Sequence, residues 1–237
     1  MIRTVALASA LLATAVATAQ PMEVGRQYRM VEPAVPTAVK PGQIEVIEFF
    51  SIGCPHCAEF EPFLQAWLKR KPANVKFTRV PATFNPFFKL LGRTYFALVD
   101  VKAAERAIPL LYDAIHVKRN PELMRPLGEY NAQATKGDPT GVAAAEAQVL
   151  DALTMFLARE AAVDGKKFRA AWNSFSMNTR LTQADTISRK YGLRGVPTIA
   201  VNGKYYTGPG RPLAIRDFDE MIKVVDHLVA LETKPAR

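Results

Sequence analysis

Two textures of hydrophobic and polar positions divide the chain. Ile44-Glu45-Val46-Ile47-Glu48-Phe49-Phe50 is a near-continuous apolar run; it predicts a strand buried on both faces, as central strands of parallel sheets are. After a short break, Phe60, Phe63, Leu64, Trp67 and Leu68 recur at helical spacing, and the helix they predict ends in Lys69-Arg70-Lys71, cations suited to a helix C-terminus. Val75 to Val80 reads as a second strand. Strand-like runs then vanish between about Asn85 and Ala184, where Val149, Leu150, Leu153, Phe156 and Leu157 form one helical stripe and Phe168, Ala171, Trp172 and Phe175 another. Such stripes are core faces. Asn131 to Gly141, with Gly137-Asp138-Pro139, is a break between helices.

Alternation returns near the end. Val196 to Tyr206 predicts a hairpin turning at Asn202-Gly203, the strongest short hairpin signal. Ala214 to Leu231 predicts a closing helix through Ile215, Phe218, Ile222, Val225 and Leu228. The expected architecture is an α/β unit interrupted by an all-helical subdomain. Its parts are residues 20–84, an insert over 85–184, and 185–237.

The N-terminus adds a processing expectation. A cationic start through Arg3, an apolar run from Val5 to Val16 and Ala17-Thr18-Ala19 together make a cleavable export signal over residues 1–19, with a mature start at Gln20. Pro21 to Gly42 is proline-rich, with Tyr28 to Val31 as a short edge strand. No later run reads as a membrane span. The net charge of +9 and pI near 9.6 describe a basic surface. No Lys/Arg cluster interleaved with aromatics argues for nucleic acid.

The chemistry sits between the first strand and first helix. Cys54 and Cys57 are the only cysteines. A disulfide between them closes too small a ring to restrain the unfolded chain much, which weakens a purely structural role. A zinc site lacks further ligands, because His116 and His227 are far off without ligand spacing. Haem attachment wants histidine where Ala58 stands. A redox-active dithiol is therefore expected. Cys54, at a helix N-terminus, gains most from unsatisfied N–H groups that favour a thiolate, and Cys57 is the more buried resolving thiol.

Glu48 shares a face with Ile44, Val46 and Phe50 by alternation and should be buried. Two readings stand side by side for it: an ion pair with Arg79 on the next strand, and a proton acceptor beneath the thiols. Pro197 heads a core strand and removes a donor there; a cis Val196-Pro197 bond in a tight turn is one account of it.

The order of these elements resembles the DsbA-type periplasmic thiol:disulfide oxidoreductases of the thioredoxin superfamily. Glu48-Phe49-Phe50-Ser51, Cys54-Pro55-His56-Cys57, Phe60-Glu61, Ala171-Trp172-Asn173-Ser174-Phe175 and Arg194-Gly195-Val196-Pro197 carry the resemblance. It implies a thioredoxin-like fold with an inserted helical domain, Cys54 as attacking cysteine and Cys57 as its partner. It further implies a cis Pro197 beside the disulfide and a Val196 backbone that bonds an extended substrate. Glu48, Glu61 and Arg79 match the family's charged group, although lysine is expected where Arg79 stands. Arginine does not release a proton, so any shuttle rests on Glu48 and water.

The function implied is donation of the Cys54–Cys57 disulfide to newly exported proteins with free thiols, with a DsbB-like membrane protein as reoxidant. His56 lowers the Cys54 pKa in this reading; as a bare helix-cap residue it would only face solvent. Pro55 completes the motif. No cofactor beyond the disulfide and no metal is expected. A periplasmic monomer follows. The competing readings are a disulfide isomerase or reductase, and a non-catalytic thiol-dependent chaperone or metal-binding module.

Overall fold

A computed structural model describes residues 22–210 and 212–233. The expected signal over 1–19 lies outside them. Five strands form one mixed sheet: β1 (Arg29–Met30), β2 (Ile44–Phe50), β3 (Val75–Pro81), β4 (Thr198–Val201) and β5 (Tyr205–Thr207), in the order β1-β5-β4-β2-β3. β2 is buried along its whole length, as its composition demands. The sheet is not wholly parallel, however: β2 pairs parallel with β3 and antiparallel with β4. Full burial comes from covering both faces, and strand direction cannot be read from it.

One face packs Ile44, Val46, Ile199 and Val201 against helix α1 (Pro55–Arg70) and helix α8 (Phe218–Thr233), with Phe60, Leu64, Trp67 and Val225 at the centre. The other face places Ile47 and Phe49 against Tyr191 and Val35. α8 starts four residues later than the spacing predicts. Asp217 accounts for this, because its carboxylate accepts from the N–H of Glu220 and so caps the helix. Ile215 still packs on the sheet core from outside the helix.

Between the strands lie α2 (Pro86–Asp100), α3 (Ala104–Tyr112), a π-helical turn (Asp113–Val117), α4 (Pro121–Lys136), α5 (Pro139–Ala161), α6 (Gly165–Trp172) and α7 (Met177–Lys190). The break expected over 131–141 shrinks to Gly137 and Asp138. Gly137 takes a positive φ of 72° as C-cap, and Asp138 caps the next helix through the Thr140 N–H. α7 runs unbroken through residue 184, so the expected edge of the insert falls inside a helix.

The first stripe is core, with Val149, Leu153, Phe156 and Leu157 buried. The second is core only at Phe168 and Trp172. Phe175 is fully exposed, because α6 ends at Trp172 and the turn that follows breaks the helical period. α5 is long and apolar enough to cross a membrane by length and composition, contrary to the expectation of no such run. Here it packs against α3, α4 and α6.

Candidate active site

Strand β2 ends at Phe50, and a turn from Ser51 to Cys54 delivers the chain to α1. The Cys54 N–H donates to the Ser51 carbonyl at 3.0 Å, and the Gly53 N–H donates to Ser51 Oγ at 3.2 Å. Gly53 is closely packed: a Cβ there would lie 2.7 Å from side-chain atoms of Leu91 and Phe87. Cys54 is the N-cap of α1 and Pro55 its first residue, a position where a missing N–H costs nothing. Cys57 lies within the first turn.

Both cysteines are free thiols, and both are buried, Cys54 at 6% exposure and Cys57 at 0%. They pack with Phe50, Ile52, Leu91 and the buried faces of the inserted helices, away from the α1–α8 core. Their acidities are driven apart. The Cys57 thiol, the N–H groups of Cys57 and His56 and the His56 charge hold the Cys54 thiol down at about 6, against the opposing pull of burial. Burial, the Cys54 sulfur and the nearby Glu48 charge push Cys57 well above the usual thiol range.

The His56 ring is largely exposed and turns to Glu59, with Nδ1 3.1 Å from its carboxylate. Its backbone N–H acts on Cys54 more than its ring does.

Across from the pair, Val196 and Pro197 precede β4, and their peptide bond is cis. Cys54 Sγ reaches the Val196 carbonyl at 3.4 Å.

Beneath the pair, Glu48 and Arg79 stand opposite each other in the β2–β3 register. Arg79 Nε donates to Glu48 Oε2 at 2.7 Å and Nη2 to Glu61 Oε2 at 2.7 Å, and all three side chains are buried. The expected ion pair is thus real and extends to Glu61. Burial still outweighs Arg79 and, with the Glu61 charge adding, raises the Glu48 carboxyl to about 7. Glu48 Oε1, Arg79 Nη1 and the Tyr112 hydroxyl are buried without a protein partner among the described residues.

The turn thus brings together Cys54, Pro55, Cys57, Val196 and Pro197, with Glu48, Glu61 and Arg79 one layer below; His56 stands at the rim. Three neighbours were not anticipated. Tyr95 stacks edge-on against Phe50 at 5.0 Å and donates to the Arg79 carbonyl. Burial, then the charges of Cys57, Glu48 and Glu61, raise the Tyr112 hydroxyl, with Arg79 opposing. His116 Nε2 is 2.8 Å from the Ile52 carbonyl, and with Tyr112 it lines a groove of 450 Å³ beside Pro55, Ala58 and Pro62. The i, i+4 spacing of Tyr112 and His116 on an apolar stripe was the available signal.

A family model described as Thioredoxin matches residues 42–223. A thiol:disulfide interchange protein DsbA from Burkholderia cepacia is 34% identical over 185 residues, covering 78% of this chain and 75% of the relative. Its counterpart from Pseudomonas aeruginosa is 30% identical over 237 residues, covering 100% of this chain and 98% of the relative. Among solved structures, DsbA from Pseudomonas aeruginosa superposes with a TM-score of 0.71 at 29% identity, covering 88% of this chain and 93% of that one. The oxidoreductase DsbA from Xylella fastidiosa gives 0.70 at 30% identity, with 89% and 97% covered.

Proposed function

This chain belongs to the DsbA-type thiol:disulfide oxidoreductases of the thioredoxin superfamily, and we propose that Cys54 and Cys57 are the pair through which it exchanges disulfides. It is an enzyme of dithiol–disulfide exchange that forms disulfide bonds. The family works with a redox-active cysteine pair and no external cofactor.

The observation that supports the assignment is the contrast between the two thiols, one held low at a helix N-cap and the other pushed up by burial. A substrate thiolate attacks Cys54 Sγ of the oxidised enzyme. The new sulfur–sulfur bond forms as the Cys54–Cys57 bond breaks, and Cys57 leaves with the electron pair and takes a proton. A carboxyl poised near 7 and close to Cys57 makes Glu48 the proton source, with the Glu61–Arg79 pair holding it in place. The second substrate thiolate then attacks the substrate's own sulfur and expels Cys54. A low-pKa thiolate leaves readily, which drives the exchange toward donation. The substrate is oxidised by two electrons and the enzyme is left as a dithiol.

Val196 presents backbone to an extended substrate segment in this reading, and Pro197 shields the exchanging sulfurs. The partners are exported proteins with free thiols and a DsbB-like membrane reoxidant, the arrangement that keeps a bacterial periplasm oxidising. Cleavage before Gln20, a monomeric state and an insert beginning at residue 85 belong to the same proposal.

The test is the equilibrium of the dithiol pair with glutathione, set beside Cys54→Ser and Cys57→Ser. Loss of dithiol oxidation in both variants, with mixed disulfides accumulating on Cys54 in the second, supports the assignment. A Cys54→Ser enzyme that still oxidises dithiols overturns it.

A further inference from the structure

The turn that presents Cys54 is held by Ser51 and packed by Leu91 and Phe87. It is also gripped from the inserted helices. His116 Nε2 lies 2.8 Å from the Ile52 carbonyl across 64 positions of sequence. A carbonyl only accepts, so Nε2 carries the hydrogen and donates. His116 belongs to the five-residue π-helical turn Asp113–Val117. Such turns widen a helix locally and re-aim its side chains, and they concentrate at functional sites.

The ring is fixed from behind by Tyr112, with centroids 6.1 Å apart, and Ala114 and Ile115 anchor the turn in the core. The Ile52 side chain is itself 1% exposed within the same apolar cluster. Peptide Ile52–Gly53 is thus clamped on its side chain by packing and on its carbonyl by a directed donor, two residues before the reacting sulfur.

That peptide sets the direction in which Cys54 leaves the turn. The N–H groups of His56 and Cys57 stabilise the Cys54 sulfur only while it is aimed at them. The geometry points to His116 as a positioning residue for disulfide exchange, one that holds the Ile52 carbonyl so that the Cys54 sulfur stays over the N-terminus of α1. This role rests on Cys54 and Cys57 being the exchanging pair. His116 itself touches neither sulfur nor substrate in it. The contact also ties the inserted helices to the sheet's active-site turn by a polar bond, beside the apolar packing of Leu91 and Phe87 at Gly53.

Three variants test this: His116→Ala, His116→Phe and His116→Gln. Phenylalanine keeps the ring against Tyr112 and removes the donor; glutamine restores an amide donor without the ring. Thiolate absorbance gives the Cys54 titration, and the glutathione equilibrium gives the redox balance. Losing one positioning hydrogen bond should shift both by about fivefold in His116→Ala and His116→Phe, toward a weaker acid and a weaker disulfide donor. His116→Gln should recover most of the shift. Parent-like behaviour in His116→Phe, or a glutamine variant as impaired as phenylalanine, overturns the role and leaves His116 as packing. A Cys54→Ser protein that still oxidises dithiols would instead refute the exchanging pair itself.

Discussion

Cys54 Sγ sits 3.4 Å from the carbonyl oxygen of Val196, a residue 142 positions further along the chain. The protonated sulfur can donate to that oxygen. Once it ionises, the same oxygen faces a negative charge and has no hydrogen between. Val196 therefore holds the thiol and gives nothing to the thiolate, whose stabilisation comes from the N–H groups on the α1 side.

Pro197 follows that carbonyl and has no N–H of its own, so the strand head offers the sulfurs no backbone donor at this position. Replacing it, as in Pro197→Thr, adds a donor and removes the shielding ring. Mixed disulfides with thiol-bearing substrates should then persist. Non-reducing gels should show trapped complexes that vanish with reductant; a variant that traps nothing and turns over normally reduces Pro197 to a structural turn.

Reduced protein should melt higher than oxidised protein at neutral pH. The depressed Cys54 pKa, about 6 against an ordinary 9.0, stabilises the reduced fold fully above the unfolded value, and the gain is lost as pH falls through 6. Cys57, raised, acts with the opposite sign and only as pH rises above the ordinary thiol range. The gap between the two melting temperatures should therefore close under acid. Absorbance at about 240 nm should lose its thiolate component over the same window.

Glu48 leaves its signature in the oxidised protein, where no thiol titrates. A carboxyl raised from 4.5 to about 7 favours the fold below its unfolded pKa, and that contribution is lost as pH rises through 7. Thermal melts of the oxidised parent should thus lose stability between pH 4.5 and 7 in a way that oxidised Glu48→Gln does not. Matching pH slopes in the two proteins would contradict the raised carboxyl. The variant should also slow the step that protonates Cys57.

Gly53→Ala places a methyl 2.7 Å from Leu91 and Phe87. The overpacking should cost about 1–3 kcal/mol in denaturant melts. It should also lift the Cys54 titration, because the turn must shift away from the inserted helices. An alanine variant with parental stability and titration would mean that Leu91 and Phe87 yield freely.

Much of this site was legible because its signals are local. The run from Ile44 to Phe50 could only be a buried strand, Cys54-Pro55-His56-Cys57 could only begin a helix, and Asn202-Gly203, both at positive φ, turn the hairpin as expected. What escaped depends on partners distant in sequence or on helix ends. Strand direction around β2 is decided by pairing with β4, and the exposure of Phe175 by where α6 stops. The groups around Glu48 and Arg79 were half visible: strand register predicts their pairing, but Tyr112 arrives from another helix. His116 looks remote from the cysteines in sequence, and that distance hides a contact made through a π-helical turn.

Cys54 and Cys57 share their apolar surroundings with the inserted helices and not with the α1–α8 core. The couple is therefore tuned from two sides, by the N-terminus of α1 and by the apolar wall that the inserted helices build around both sulfurs. Repacking α2 and the helices behind it changes that wall while the α1–α8 packing on the sheet stays as it is. A chimaera that keeps this sheet and takes its helical segment from another relative should move its reduction potential toward the donor's and retain its own scaffold.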